Sequence, residues 1–296
     1  MPVEQILQYL LSGITNGSIY AVAAIGFNIV YNTTGIINFA QGEFLMLGAM
    51  TAISFSKIMP PWLAIPLAII VTAIIGGLVD IVFIRRMKKP TVLNMIMVTI
   101  GISILLKEVA LHIWDEKVRS LRFFTGDETS SVNLGGAFIS PQVFWVLGVS
   151  ALIVTLLTLF FRYTALGRSM RACASDPDAA RLCGISTKNM ITLSFMLAAA
   201  IGAAAGCVVS PLTQTQYDCG TSFAVKGFTV AIIGGLGNSV GAVIGGILIG
   251  ILEAFSISIL PLAYKDAISI SILLIVLFVK PSGLFGNKAA SSLREF

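Results

Sequence analysis

With 296 residues, of which 56% are hydrophobic and 11% charged, the chain carries far more apolar surface than one water-soluble core can hide. Its net charge of +5 falls mainly in short stretches between apolar runs, where it sets orientation, and this accounts for the charge without nucleic-acid binding. The composition predicts an all-α polytopic membrane protein.

Runs of about 20 apolar residues, enough to cross roughly 30 Å of hydrocarbon, follow one another along the chain. They lie at 7–30, 37–55, 62–84, 92–113, 142–163, 188–210, 240–260 and 266–279, with a further segment at 225–236 that is too short to cross alone. The expectation is eight to nine membrane segments, some of them interrupted, in a single membrane domain spanning 1–296. The first segment has no charged leader or cleavage site before it, and Glu4 is the only charge before Glu43, so it is expected to be retained as a span. Whether the chain begins inside or outside depends on whether residues 38–55 cross fully or bend back, and both arrangements stay open.

Short loops rich in Lys and Arg stay in the cytoplasm. Arg85, Arg86, Lys88 and Lys89 form one such turn, Arg162, Arg168, Arg171, Arg181 and Lys188 fall in or beside the loop 164–187, and Lys280, Lys288 and Arg294 lie near the end. The loop 114–141 mixes Asp115, Glu116, Asp127 and Glu128 with Lys117, Arg119 and Arg122 and is placed outside. It has room for a short helix but not for a core of its own.

Two Gly- and amide-rich stretches interrupt the apolar pattern: Thr33 to Glu43, containing Asn38 and Gln41, and Gly234 to Gly241, containing Asn238 and Ser239. Irregular backbone at membrane depth is tolerated only where protein buries it or water reaches it, and paired interruptions are a transporter pattern. Glycines at 237, 241, 245, 246 and 250, and at 202 and 206, form small-residue faces. These serve close helix packing or a flexible wall of a path.

Within the loop 164–187, Ser175 or Asp176 is an N-cap, Pro177 a first-turn residue and Gly184 a stop. This predicts one short surface helix, with Asp176 and Asp178 at its start and Arg181 near its end complementing the helix dipole. Ala179 and Ala180 give it a flat face.

Other chemistry is missing. No Gly-Lys pair occurs, so there is no phosphate-binding loop. The single His112 reads as a packing residue, and the four cysteines show neither metal-ligand nor redox spacing. Charges in or near spans need partners. Asp80 is within reach of Arg85 and Arg86, Lys107 and Glu108 can snorkel, and Glu43 and Glu253 are either structural or on a path, Glu43 by binding a helix N-terminus at the break.

Asp178-Ala179-Ala180, three residues, then Gly184 resembles the Glu-Ala-Ala-x-x-x-Gly signature of bacterial ABC importer permeases. Four further stretches resemble the branched-chain amino acid branch of that group: Asn16-Gly17-Ser18-Ile19-Tyr20-Ala21, Ile37-Asn38-Phe39-Ala40-Gln41-Gly42-Glu43, Gly234-Gly235-Leu236-Gly237 with Gly241, and Lys280-Pro281-Ser282-Gly283-Leu284-Phe285-Gly286. Asp178 stands where the signature has Glu, and Ser194-Phe195-Met196-Leu197 stands where the fuller signature has Ile-x-Leu-Pro.

The resemblance implies a multi-pass permease subunit of the bacterial cytoplasmic (inner) membrane that moves branched-chain or other hydrophobic amino acids and is not itself an enzyme. It implies no cofactor in this chain, with ATP and Mg bound by two cytoplasmic ATPase subunits that engage Arg171, Asp176, Asp178, Ala179, Ala180, Gly184 and Ile185. A second permease subunit would complete the pore and an external binding protein would deliver the solute. Asn38, Gln41, Glu43, Asn238 and Ser239 are the candidate path-lining residues, because amides and hydroxyls pass a zwitterion without trapping it. The competing readings are an ABC permease for urea or short amides, an ion-coupled secondary transporter, and a structural subunit of a membrane complex.

Overall fold

In a computed structural model of the chain, the residues described are 3–87, 91–134, 136–258, 261 and 264–286. Lys88, Lys89, Lys288 and Arg294, expected to help set orientation, lie outside them. The helices are α1 (Val3–Thr34), α2 (Gln41–Phe55), α3 (Pro61–Val79), α4 (Val92–Trp114), α5 (Gln142–Tyr163), α6 (Ala165–Ser175), α7 (Pro177–Leu182), α8 (Thr187–Thr213), α9 (Cys219–Gly234), α10 (Ser239–Ser256) and α11 (Lys265–Val279). A π-helical turn, Asp80–Ile84, continues α3. Strands β1 (Val132–Leu134) and β2 (Ala137–Ile139) pair antiparallel in the loop expected to be external, which has room for this hairpin but not for a core of its own.

Among the described residues, six helices are long and apolar enough to cross a membrane: Glu4–Thr34, Pro61–Ile84, Val92–Trp114, Gln142–Tyr163, Thr187–Thr213 and Ser239–Ser256. Large apolar side chains stand exposed along them at helical spacing, as at Ile70, Ile74 and Leu78 or Leu152, Leu156 and Leu159. Such faces suit lipid and would be a liability in water. The chain is thus an all-α polytopic membrane protein. Helices α2 and α11 have 15 residues each, about 22 Å at 1.5 Å per residue, and so fall short of a full span by themselves.

The chain divides into two compact units. The first comprises residues 1–25, 122–154 and 226–296, and the second residues 26–121 and 155–225. In the first, α1 and α10 cross with backbones almost touching. A Cβ on Gly250 would lie 2.2 Å from Gly13 O, and one on Gly246 2.6 Å from Gly17 O. The glycine pattern of α10 therefore serves close helix packing. Gln8 of α1 donates to Phe138 O (2.9 Å) and accepts from Phe138 N (3.0 Å). This puts the start of α1 on the same side as the hairpin, which lies in the loop that the sequence expects to be external.

In the second unit, α2, α3 and α8 pack against one another. Every residue of α2 from Gln41 to Ile53 is buried, which explains how a short helix preceded by irregular backbone is tolerated at membrane depth. A Cβ on Gly48 would sit 2.2 Å from Ala203 Cα, and one on Gly206 2.0 Å from Leu45 O. At one end of this unit Arg85 donates to Lys188 O (3.2 Å) and to Thr192 Oγ1 (3.0 Å), joining two segments expected in the cytoplasm. At the other end Arg119 and Thr215 form a backbone bridge, and Trp114 Nε1 donates to Ser54 Oγ (2.6 Å).

Asp80 does not form the expected ion pair with Arg85 or Arg86. Its Oδ2 accepts from Thr192 Oγ1 at 2.6 Å, and Arg85 is turned onto that same threonine. The π-helical turn that begins at Asp80 inserts one residue into the helical repeat and carries the chain between these two partners.

Candidate functional site

The loop between α5 and α8 holds two helices where the sequence predicted one. Thr164 caps the first, accepting from Gly167 N (3.0 Å), and α6 buries Gly167, Met170 and Cys173 while Arg168 and Arg171 stay exposed. Burial pushes the Cys173 thiol above its ordinary range. The six-residue α7 has the predicted ends. Asp176 Oδ1 accepts from Asp178 N (2.9 Å) and Ala179 N (3.0 Å), with Pro177 following as the first helical residue.

At its far end Gly184 takes φ +80°, a conformation that disfavours a side chain. Gly184 N bonds to Arg181 O (2.9 Å) and Ile185 N to Ala180 O (3.0 Å), which is the Schellman closure of a helix. Arg181 is held by Asp178 (3.0 Å) and Thr187 Oγ1 (3.1 Å). The ion pair is solvated, so it orients more than it stabilises.

The two alanines of the expected flat face point different ways. Ala180 is 4% exposed, turned toward its own chain, while Ala179 and Cys183 are exposed and Leu182 is 90% exposed. One helical step turns a side chain by about 100°, which is enough to carry Ala180 away from the side that Ala179 presents. The outward surface is therefore Ala179, Leu182 and Cys183. Sequence pattern missed Leu182 because an apolar residue in an apolar chain carries no signal by itself.

The first interrupted stretch lies wholly in the second unit and brings Asn38, Gln41 and Glu43 together, at 1%, 1% and 0% exposure. Asn38 Oδ1 accepts from Ala40 N (3.1 Å), shaping the turn into α2. Gln41 Nε2 donates to Ala198 O of α8 (3.0 Å). Its amide fits beside Gly26, where a Cβ would lie 2.0 Å from Nε2. Glu43 Oε1 accepts from Ser103 Oγ of α4 (3.0 Å) and Thr221 Oγ1 of α9 (3.4 Å). Its partners are thus hydroxyls rather than the helix N-terminal amides expected from the sequence. Among the described residues, the buried side-chain atoms without a partner are Asn38 Nδ2, Gln41 Oε1 and Glu43 Oε2, all in this one stretch.

The second interrupted stretch, in the first unit, is built differently. Asn238 Oδ1 accepts from Val240 N (3.1 Å) and Gly241 N (3.0 Å), capping α10, while its Nδ2 donates to Phe285 O (3.0 Å). Leu284 N donates to Ile233 O (2.7 Å), so the 280–286 segment packs over the break. Both ends of the Asn238 side chain are occupied structurally, and Ser239 follows it as the first residue of α10.

Glu253, 0% exposed, is also structural in setting. It receives Lys226 Nζ (2.5 Å) and the Ser269 hydroxyl on Oε1, and Tyr20 Oη (2.9 Å) on Oε2. Lys226 in turn reaches Asp266 (2.8 Å). No grouping of His, Cys, Asp and Glu suited to a metal occurs among the described residues.

Residues 9–277 match the family described as branched-chain amino acid transport system / permease component. The chain is 36% identical to the high-affinity branched-chain amino acid transport system permease protein LivH of Salmonella typhimurium, over 95% of this chain and 96% of that one. It is likewise 36% identical to BraD of Pseudomonas aeruginosa, a protein of the same description, again over 95% and 96%. Among solved structures it resembles PsaBC from Streptococcus pneumoniae in complex with Fab. The TM-score is 0.52 over 93% of this chain and 92% of that one, at 11% identity, a likeness of fold alone.

Proposed function

This chain belongs to the family of branched-chain amino acid transport permease components, and from that premise we propose that it is one membrane subunit of an ATP-driven importer. It moves branched-chain or other hydrophobic amino acids across the cytoplasmic membrane, with a second permease subunit, two cytoplasmic ATPases that bind ATP and Mg, and an external binding protein. The relatives named for branched-chain amino acid transport, covering nearly the whole chain, favour this reading over an ion-coupled carrier or a scaffold.

The observation that carries the coupling role is α7. It is a short helix closed at both ends by its own hydrogen bonds, with Ala179 and Leu182 facing outward between two membrane helices. A rigid, capped stub transmits displacement, whereas a solvated turn would absorb it. Asn38, Gln41, Asn238 and Ser239 remain the proposed amide and hydroxyl groups near the path, with Asn238 acting first as a cap. The test is uptake of labelled L-leucine by proteoliposomes holding the four kinds of subunit. Uptake should need ATP and persist when ion gradients are collapsed. Uptake that ignores ATP and follows an ion gradient overturns the reading.

A further inference from the structure

The stretch 162–175 holds Arg162, Arg168 and Arg171 and no acidic residue, and all three arginines are exposed. Neither Arg168 nor Arg171 has a side-chain hydrogen bond or ion pair among the described residues. Helix α6 divides sharply between two sides. Gly167, Met170 and Cys173 are buried against the protein, whereas Arg168, Arg171 and Ser175, spaced by three and then four residues, share the exposed side. The two guanidinium groups of α6 are therefore neighbours directed away from the chain, with no opposite charge to meet.

Gly167 sets the level of this face. A Cβ there would lie 2.4 Å from Phe160 O and 2.6 Å from Phe161 Cα, so α6 folds back against the last turn of α5 instead of continuing away from it. Thr164 alone joins the two helices, and α5 is long and apolar enough to cross a membrane. The start of α6 is thereby held where that span leaves the hydrocarbon. Tyr163 and Leu166 are exposed beside it, and the Arg162 guanidinium lies 5.4 Å from the centroid of the Tyr163 ring. An exposed tyrosine, an exposed apolar side chain and unpaired arginines together suit a headgroup boundary. Charge also separates lipid from an acidic protein groove. Such a groove would reach on to Asp176 and Asp178, which are exposed on α7 and would repel it, whereas a headgroup touches α6 alone.

We propose that the corner between α5 and α6 binds anionic phospholipid in the adjoining leaflet, Arg168 and Arg171 taking the phosphate and Arg162 flanking them. A guanidinium fork grips two phosphate oxygens through parallel N–H bonds. Asp176 ends α6 and caps α7, and α6 packs on α8, so a bound lipid steadies the base on which α7 stands. The proposal needs the membrane setting but not the identity of the solute.

In the test, the full chain, purified with its associated subunits, is washed in detergent carrying equal amounts of phosphatidylglycerol and phosphatidylcholine, and the retained lipid is counted by mass spectrometry. Each cation near an anionic surface strengthens association about fivefold, so wild-type protein should retain phosphatidylglycerol about tenfold over phosphatidylcholine or more. Arg168→Gln with Arg171→Gln should bring the ratio near one, and Arg168→Lys with Arg171→Lys should keep most of the preference. Arg86→Gln, at an exposed position of the other basic turn, should leave the ratio unchanged. The thermal midpoint in phosphatidylcholine alone should be the same for all of them, which separates lost lipid from lost folding. Equal retention of the two lipids by wild-type protein overturns the proposal, as does an undiminished preference in the double glutamine variant. A fall as large in Arg86→Gln overturns it too, because the attraction then belongs to the whole charged side. A double glutamine variant that keeps its lipid but loses copurifying ATPase assigns the face to a protein partner instead.

Discussion

Lys226 Nζ lies 2.5 Å from Glu253 Oε1, an ion pair closed inside the first unit although 27 positions separate the two residues. Glu253 is fully buried and Lys226 12% exposed. Removing Lys226 leaves Glu253 with only the more distant Lys265 Nζ, 3.6 Å from Oε2, and a poorly compensated buried charge costs more than the pair itself contributes. Lys226→Met should therefore destabilise the protein by on the order of 3 kcal/mol, and Lys226→Met combined with Glu253→Met should recover most of the loss. Thermal unfolding in detergent measures both. A double variant as unstable as the sum of its two single changes would show that the partners act independently.

Close helix crossing gives a second contrast. A Cβ on Gly250 would fall 2.2 Å from Gly13 O and 2.4 Å from Gly17 N, while one on Gly148 would meet nothing within 4 Å. Backbone cannot retreat as a flexible side chain can, so Gly250→Val should cost at least about 3 kcal/mol and sharply lower the yield of monodisperse protein. Gly148→Val should purify like the parent. Equal yields for the two variants would contradict the observed crossing of α1 and α10.

Ala180 and Leu182 separate folding from coupling. Ala180→Arg puts a charge where only 4% of the residue is exposed, whereas Leu182→Glu changes a side chain that is 90% exposed. The first should lower the melting temperature. The second should leave it unchanged and reduce ATP-driven uptake several-fold. Measuring both quantities on both variants settles the point, and normal uptake with Leu182→Glu would count against α7 as the coupling element.

Asn238→Ala removes an N-cap and the tie to Phe285. Loss of the cap costs about 1 kcal/mol, and the exposed site limits the damage to this region. Amide exchange should accelerate at Val240, Gly241 and Leu284 without a change in the rest of α10. Unchanged protection at all three would place the stability of this break elsewhere.

Much of the architecture was legible because bilayer thickness and helix chemistry act locally. The expected run at 142–163 coincides with α5, those at 92–113 and 188–210 differ from α4 and α8 by a few residues, and Asp176, Pro177 and Gly184 delimit α7 as expected. What was not legible depends on which face meets which neighbour. Helix α9 begins at Cys219, earlier than its apolar core at 225–236, because Gly220 can pack beside Gly42 and Glu43. Helix α8 runs past Pro211 to Thr213, although a proline there removes a backbone donor from the helix. The partners of Asp80, Glu43 and Glu253 all lie on other helices, and hydropathy gives no register between helices. For the candidate site, the caps of α7 could be read from residue types alone, but the inward turn of Ala180 could not.

The role of α7 as the contact for an ATPase is tested most directly through Cys183, which is exposed, whereas Cys173 and Cys207 are buried. Burial also pushes the Cys173 thiol up. At neutral pH it therefore holds less thiolate and should alkylate slowly, leaving Cys183 as the reactive position in this loop. A thiol-to-amine crosslinker attached at Cys183 in an actively transporting complex should yield an adduct between this chain and an ATPase subunit. An importer that keeps its uptake activity while the tethered reagent captures no ATPase would contradict the account.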